Sequence, residues 1–232
     1  MSRFLFVILA SATMFGATSA EAAARNFPIG GFSRIQSNVP FTVHVHTGAA
    51  PSARAQGPQD ALDRLIVDVV NGELVIRSKP GSWWSAWNWH RERAFIDVTV
   101  PMLTAATLSG PGDLTIDQIR TRDFNATLRG PGDLTIDAID TGDATLTLDG
   151  PGDLTVKGRA ATAHITLRGP GDVRASGLTV RDATVNLTGP GDVALGATGV
   201  VNGALSGPGD IAIHGGARCQ ISKHGPGDVS CR

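Results

Sequence analysis

From Ala105 onward, apolar residues occupy every second position in short runs that recur along the chain. One run is Phe124, Ala126 and Leu128; its counterparts are Ala144, Leu146 and Leu148, then Ala163, Ile165 and Leu167, then Ala183, Val185 and Leu187. A second set is Leu114 with Ile116, Leu134 with Ile136, Leu154 with Val156, Val193 with Leu195, and Ile211 with Ile213. Strict alternation is strand behaviour, because successive side chains of a strand point to opposite faces. The alternate positions hold Thr107, Thr127, Thr147 and Thr166 in one column and Thr115, Thr135 and Thr155 in another. Those columns are predicted to face outward. Ile119, Ile139 and Leu178 mark a third inward column, so each unit reads as two strands, a looser turn and a third short strand.

Between the two apolar sets stands Gly-Pro-Gly-Asp, seven times, beginning at Gly110, Gly130, Gly150, Gly169, Gly189, Gly207 and Gly225. The spacings are 20, 20, 19, 20, 18 and 18 residues. A fixed period in this range is the mark of a solenoid whose repeats stack on their neighbours. Proline suits a corner because its φ is fixed and it has no N–H to lose. The flanking glycines are expected to supply positive φ where the chain turns. An antiparallel barrel would need hairpin turns of the Asn-Gly kind, whereas one repeated corner implies corners stacked in register. The expected fold is therefore all-β, a parallel β-helix rising about 4.8 Å per coil.

The first hundred residues read as the same coil in degraded form. Asn71-Gly72-Glu73-Leu74-Val75-Ile76 mimics Pro-Gly-Asp-Leu-Thr-Ile, and Gly72 lies 40 residues before Gly112. Val39, Phe41, Val43 and Val45 form one inward row; Ile96, Val98 and Val100 form another. The expected organisation is a signal peptide over residues 1–24 and a single β-helix domain over 25–232. Within it, 25–100 are degenerate coils carrying a Trp-rich insertion at 79–93, and 101–232 are regular repeats.

The start of the chain supports export. A short basic start, Met1–Arg3, precedes the apolar run Phe4–Phe15 and the small residues Gly16–Ala24, with Ala-x-Ala cleavage points after Ala22 or Ala24. That is the layout of a secretory signal peptide, and the apolar run is short of the roughly 20 residues a membrane span needs. No transmembrane segment is expected, and the destination is periplasm, outer surface or medium. Export favours pairing of the two cysteines, Cys219 and Cys231. They stand six residues before and six after Gly225, both in inward columns, so one local disulfide is predicted across the last coil.

Composition removes some functions. Net charge is -1 and charged residues are 18% of the chain, so no basic surface exists to neutralise nucleic-acid phosphates.

The repeated Gly-Pro-Gly-Asp-Leu/Val, following the strand Ile96-Asp97-Val98-Thr99-Val100-Pro101, resembles the bacterial family known as the putative auto-transporter adhesin head, or GIN, domain. The likeness spans about Phe32 to Arg232. It implies a right-handed β-helix, a cell-envelope or surface location and an adhesin-like role, and it brings no catalytic residues.

Candidate chemistry is sparse. Asp113, Asp133, Asp153, Asp172, Asp192, Asp210 and Asp228 should stack about one strand spacing apart, where neighbouring carboxylates repel by about 1 kcal/mol even in water. They are expected to be structural, each accepting backbone N–H bonds at its own corner. The alternative is a calcium solenoid, although the calcium-binding nonapeptide pattern is absent. Trp83, Trp84, Trp87 and Trp89, all four tryptophans of the chain, cluster with Arg91 and Arg93. Tryptophan with arginine is hot-spot and sugar-stacking composition, so these six are the candidate binding residues. A cover for the solenoid's open edge is the structural alternative. His44 and His46 share a strand face without a third metal ligand, and no metal or cofactor is expected. No nucleophile elbow, phosphate loop or paired-cysteine motif occurs. The steady period leaves no room for the long loops that wall a cleft, so an enzyme is not expected. A threonine ladder also fits ice binding, but Arg129, Arg168 and Arg174 interrupt the neighbouring rows. The reading is a non-catalytic exported interaction module with a glycan or protein partner at an envelope or surface, and scope for self-association through solenoid faces or edges. The alternative is a carbohydrate-binding or carbohydrate-active β-helix using the tryptophan segment.

Overall fold

The computed structural model describes residues 23–79 and 94–232. The N-terminal part holds β1 (Ala23–Phe27), β2 (Arg34–Asn38), β3 (Thr42–Thr47), β4 (Ser52–Gly57), α1 (Gln59–Arg64), β5 (Leu65–Val70), β6 (Glu73–Ser78) and β7 (Phe95–Val100). The regular part holds β8 (Ala105–Leu108), β9 (Leu114–Ile116), β10 (Ile119–Leu128), β11 (Leu134–Asp149), β12 (Leu154–Arg168) and β13 (Val173–Thr188). It ends with β14 (Val193–Ala197), β15 (Val200–Ser206), β16 (Ile211–His214), β17 (Arg218–His224) and β18 (Val229–Cys231).

From β8 on, strands pair in parallel, each with its counterpart one period away, so identical positions stack. Leu114, Leu134, Leu154, Val173, Val193 and Ile211 form one continuous buried column. Leu108, Leu128, Leu148, Leu167, Leu187 and Leu205 form another, none more than 1% exposed. The pairing slips between Ile136 and Ile139, Thr155 and Gly158, and Ala175 and Thr179. This is the looser turn, after which Ile119, Ile139 and Leu178 point inward on a third side. The protein is a stacked parallel β-solenoid.

The second glycine of each corner is there for space. A Cβ at Gly132, Gly152, Gly171, Gly191, Gly209 or Gly227 would strike the carbonyl oxygen of the second glycine one coil before. Its N–H bonds back across the same gap, as from Gly171 to Gly150 O at 3.1 Å. Positive φ, expected of both glycines, is confined to the first one and to the later coils, with φ of 123° at Gly169 and 132° at Gly225. The corner closes by contact between backbones, and only a residue without a side chain permits it.

The N-terminal third departs from the expected coil. Its first coil, β2 and β3, pairs in parallel with β8 and β9 on one side and with β6 and β7 on the other. It is therefore sandwiched between two coils that follow it in sequence. The bend between β2 and β3, Val39-Pro40-Phe41-Thr42, stacks on Gly110-Pro111-Gly112-Asp113, with Gly112 N–H donating to Val39 O at 3.0 Å. It is a further corner in other residues.

Asn71–Ile76 is not a copy of the corner. Asn71 (φ 51°) and Gly72 (φ 74°) join β5 to β6 as a two-residue hairpin, with Val70 paired to Glu73. Asn-Gly is the preferred dipeptide for such a turn, because both central residues need positive φ. Leu74 consequently stacks on Ile35, whose other side meets Ala106, and not in the Leu114 column. Beyond this hairpin, β4 runs antiparallel to both β7 and β1. Helix α1 buries Ala61 and Leu62 against the core. Its terminal carbonyls accept from cations: Arg25 Nη1 to Leu62 O at 3.1 Å and Lys79 Nζ to Asp63 O at 2.7 Å. The described residues of 25–100 are thus two parallel coils closed by antiparallel strands and a helix, not a run of degenerate repeats.

Candidate functional site

The seven corner aspartates stack as expected, but their bonding differs from the expectation. Six of the seven carboxylates, all but that of Asp228, reach the next coil rather than their own corner. Asp133 N–H donates to Asp113 Oδ1 at 3.0 Å, and the same bond joins Asp153 to Asp133, Asp172 to Asp153, Asp192 to Asp172, Asp210 to Asp192 and Asp228 to Asp210, at 2.7–3.0 Å. The backbone carbonyl of each later aspartate accepts in turn, as from Leu134 N–H to Asp153 O at 2.9 Å. A short acidic side chain spans one strand spacing, so a column of like charges becomes a ladder of charge-assisted hydrogen bonds. Arg174, in the column of Thr155, adds a cation midway by bonding both Asp153 and Asp172. Among the described residues, no three His, Cys, Asp or Glu side chains converge so as to hold a metal ion.

Trp83, Trp84, Trp87, Trp89, Arg91 and Arg93 lie outside the described residues. The flanking strands fix where the segment leaves the solenoid. Asn38 pairs with Arg77 and Thr42 with Phe95, so one coil passes from the first register to the second in three residues, whereas the next has residues 78–94 between them in sequence. The described chain leaves this corner of the stack after Lys79 and resumes at Ala94. The residues on either side are held by the fold: Lys79 N–H donates to Arg64 O at 2.9 Å, and Ala94 is buried against Gly57.

The remaining candidates separate cleanly. Cys219 and Cys231 form the disulfide, with Cα atoms 6.4 Å apart. They continue the columns of Val201 and Ile213, and Cys231 is exposed. His44 and His46 share the outward face of β3, and His46 Nδ1 lies 3.5 Å from Asp117. On the third side, a shallow open groove of about 490 Å³ runs past Ile119, Ile139 and Gly158. The coil there is one residue shorter than its neighbour, and Gly158 takes the place of a large side chain. Asp140 and Arg159 edge the groove in a two-bond ion pair at 3.0 and 2.6 Å, which holds the Asp140 carboxyl below its usual range. Sequence reasoning missed the Val39–Thr42 corner, for which Pro40 was the available signal.

The sequence matches no curated protein. The chain superimposes on solved structures over nearly its whole length. One is a putative adhesin from Bacteroides fragilis, with a TM-score of 0.84 at 21% identity over 92% of this chain and 98% of that one. A second is a putative lipid binding protein from Parabacteroides distasonis, at 0.70 and 17% over 92% and 97%. A third is a putative adhesin from Parabacteroides merdae, at 0.70 and 14% over the same shares. At these identities the likeness establishes the fold. The family model described as putative auto-transporter adhesin, head GIN domain, matches residues 31–217. With that match spanning most of the solenoid, the chain belongs to the GIN-domain family of putative auto-transporter adhesin heads.

Proposed function

We propose that the protein is a non-catalytic exported module that binds a partner at the cell envelope or surface in the manner of an adhesin, through Trp83, Trp84, Trp87, Trp89, Arg91 and Arg93. One observation carries this reading: between the registers Asn38–Arg77 and Thr42–Phe95 one coil has three residues while the sequence of the next has residues 78–94, a stretch that contains every tryptophan of the chain. A rigid scaffold carrying one departing segment is a common way to present a binding surface. The outward columns are short residues such as Thr127, Thr147 and Thr166 on a flat face, which suits contact with an extended partner more than enclosure of a substrate. Family membership and the adhesin names of two structural neighbours support the same class.

The test is the double variant Trp84→Ala/Trp87→Ala, probed against purified bacterial envelope fragments and a printed glycan array. Loss of two hot-spot aromatics is expected to weaken binding by about tenfold or more with an unchanged melting temperature. A variant that melts several degrees lower yet binds normally per folded molecule contradicts the proposal. A glycan signal that disappears with the rings identifies the partner class as carbohydrate.

A further inference from the structure

Among the described residues, β5 pairs with β6 alone, in a hairpin that sets Val70 against Glu73 and Leu65 against Ser78. Just beyond it, Lys79 N–H donates to Arg64 O at 2.9 Å, which makes Arg64 and Lys79 a hydrogen-bonded pair of that ladder. Bonded and non-bonded pairs alternate in an antiparallel ladder, so Ile66, Asp68 and Val70 also turn their backbone groups to β6. Leu65, Val67 and Val69 turn theirs the other way. The Leu65 N–H is taken by Leu62 O at the end of α1. What is left along the far edge is the N–H groups of Val67 and Val69 and the carbonyls of Leu65, Val67 and Val69.

Natural sheets guard such edges with charge or proline, or cover them. Strand β1, which pairs with β4 alone, is mostly exposed and carries Arg25 and Asn26. Strand β5 reads Leu-Ile-Val-Asp-Val-Val, with Asp68 its only charge. Val70 is 53% exposed, one of two large apolar side chains so open among the described residues. A second copy of β5 fits this edge in one register. Run antiparallel about a two-fold axis with Val67 facing Val67, each Val67 N–H meets the other's carbonyl, and each Val69 N–H meets the Leu65 carbonyl opposite. Every unused donor of both copies is then paired, and Asp68 faces Ile66. Sliding to face Val67 with Val69 also pairs those donors, but sets Asp68 directly against Asp68, where side chains are closest and like charges repel. Sliding the other way leaves Val69 unpaired and calls on the occupied Leu65 N–H.

We propose that β5 is a homodimer interface, through which two copies join edge to edge about Val67 into one continuous antiparallel sheet. The experiment is sedimentation velocity over a concentration series on the purified full chain, its disulfide intact, with hydrogen exchange read at both ends of the series. The parent is expected to pass from monomer to dimer as concentration rises, with the Val67 and Val69 amides gaining protection in step. Val69→Pro removes a donor that β6 does not use, so it should melt within a few degrees of the parent and associate about tenfold or more weakly. Position 66 gives a second test without proline. Ile66→Asp faces Asp68 of the second copy but Arg77 of its own β6, so the fold should hold while association weakens about tenfold. Ile66→Lys reverses both signs and should tighten the dimer. A parent that stays monomeric overturns the proposal, and one whose Val67 and Val69 amides are protected at every concentration assigns the edge to another segment of the same chain. A dimer that survives Val69→Pro, or that responds alike to aspartate and lysine at position 66, overturns it as well.

Discussion

In the seven regular coils, a residue's neighbour in the core is the one 18–20 positions away, and the corner that makes this so is held by backbone packed on backbone. In the N-terminal third, Ile35 contacts Leu74 on one side and Ala106 on the other, 39 and 71 positions away, and the turns include an Asn-Gly hairpin and a helix. Both regions bury the same kind of alternating apolar strand. Alternation fixes which face is buried, whereas the turn chemistry fixes the direction of the next strand and its place in the stack. Gly-Pro-Gly-Asp continues a stack; Asn-Gly reverses the chain and closes one.

The glycines offer the strongest test of that contrast. Gly152→Ala should destabilise by about 3 kcal/mol or more, since its Cβ would meet the Gly132 carbonyl oxygen in a packed stack that cannot give way. Gly72→Ala meets no atom and only forces a side chain into φ 74°, for about 1 kcal/mol. Urea unfolding of both variants decides it; equal losses would mean that the two turns obey one rule after all.

The ends differ too. The C-terminal coil has a covalent clamp where the N-terminal end has a helix, so Cys219→Ser/Cys231→Ser should cost about 3 kcal/mol for its 12-residue separation. Hydrogen exchange should place the loosened amides in 218–231, and uniform loss of protection along the stack would contradict the local role. A smaller effect separates the rungs from simple turn caps. Asp153→Ala leaves the Asp172 N–H unpaired and removes one of the two carboxylates that Arg174 bonds, for about 0.5–2 kcal/mol, while Asp153→Asn keeps the acceptor and should cost less. Addition of a chelator should not move either melting curve. A chelator-induced fall in melting temperature would make the column a cation site.

Much of the fold was legible in the residues because each coil states its own pattern locally. Phe124, Ala144 and Ala163 fall in one column by counting alone, and the same counting places Cys219 opposite Cys231. The stacking order of the N-terminal coils was not legible. Leu74 and Val75 alternate equally well whether their strand lies before or after its neighbour, and the hairpin signal in Asn71-Gly72 was overridden by its likeness to Pro-Gly-Asp. The aspartate partners were missed for a geometric reason, since one strand spacing happens to suit an Asp side chain, and a single coil contains no hint of that. For the candidate site, the tryptophans come from the sequence alone, and the structure places only the strands on either side of their segment. Those strands are held in register as Asn38 with Arg77 and Thr42 with Phe95.

The same registers allow the central claim to be tested in one measurement. Deleting residues 80–93 leaves Ser78-Lys79-Ala94 in the place that Val39-Pro40-Phe41 fills one coil away, so the corner can close without the insertion. Binding to envelope fragments and thermal unfolding are then read on the same preparation. A scaffold that presents a binding segment predicts a deletion variant that melts within a few degrees of the parent and no longer binds. A variant that binds as the parent does, or that unfolds because the insertion was holding the end of the core together, contradicts it.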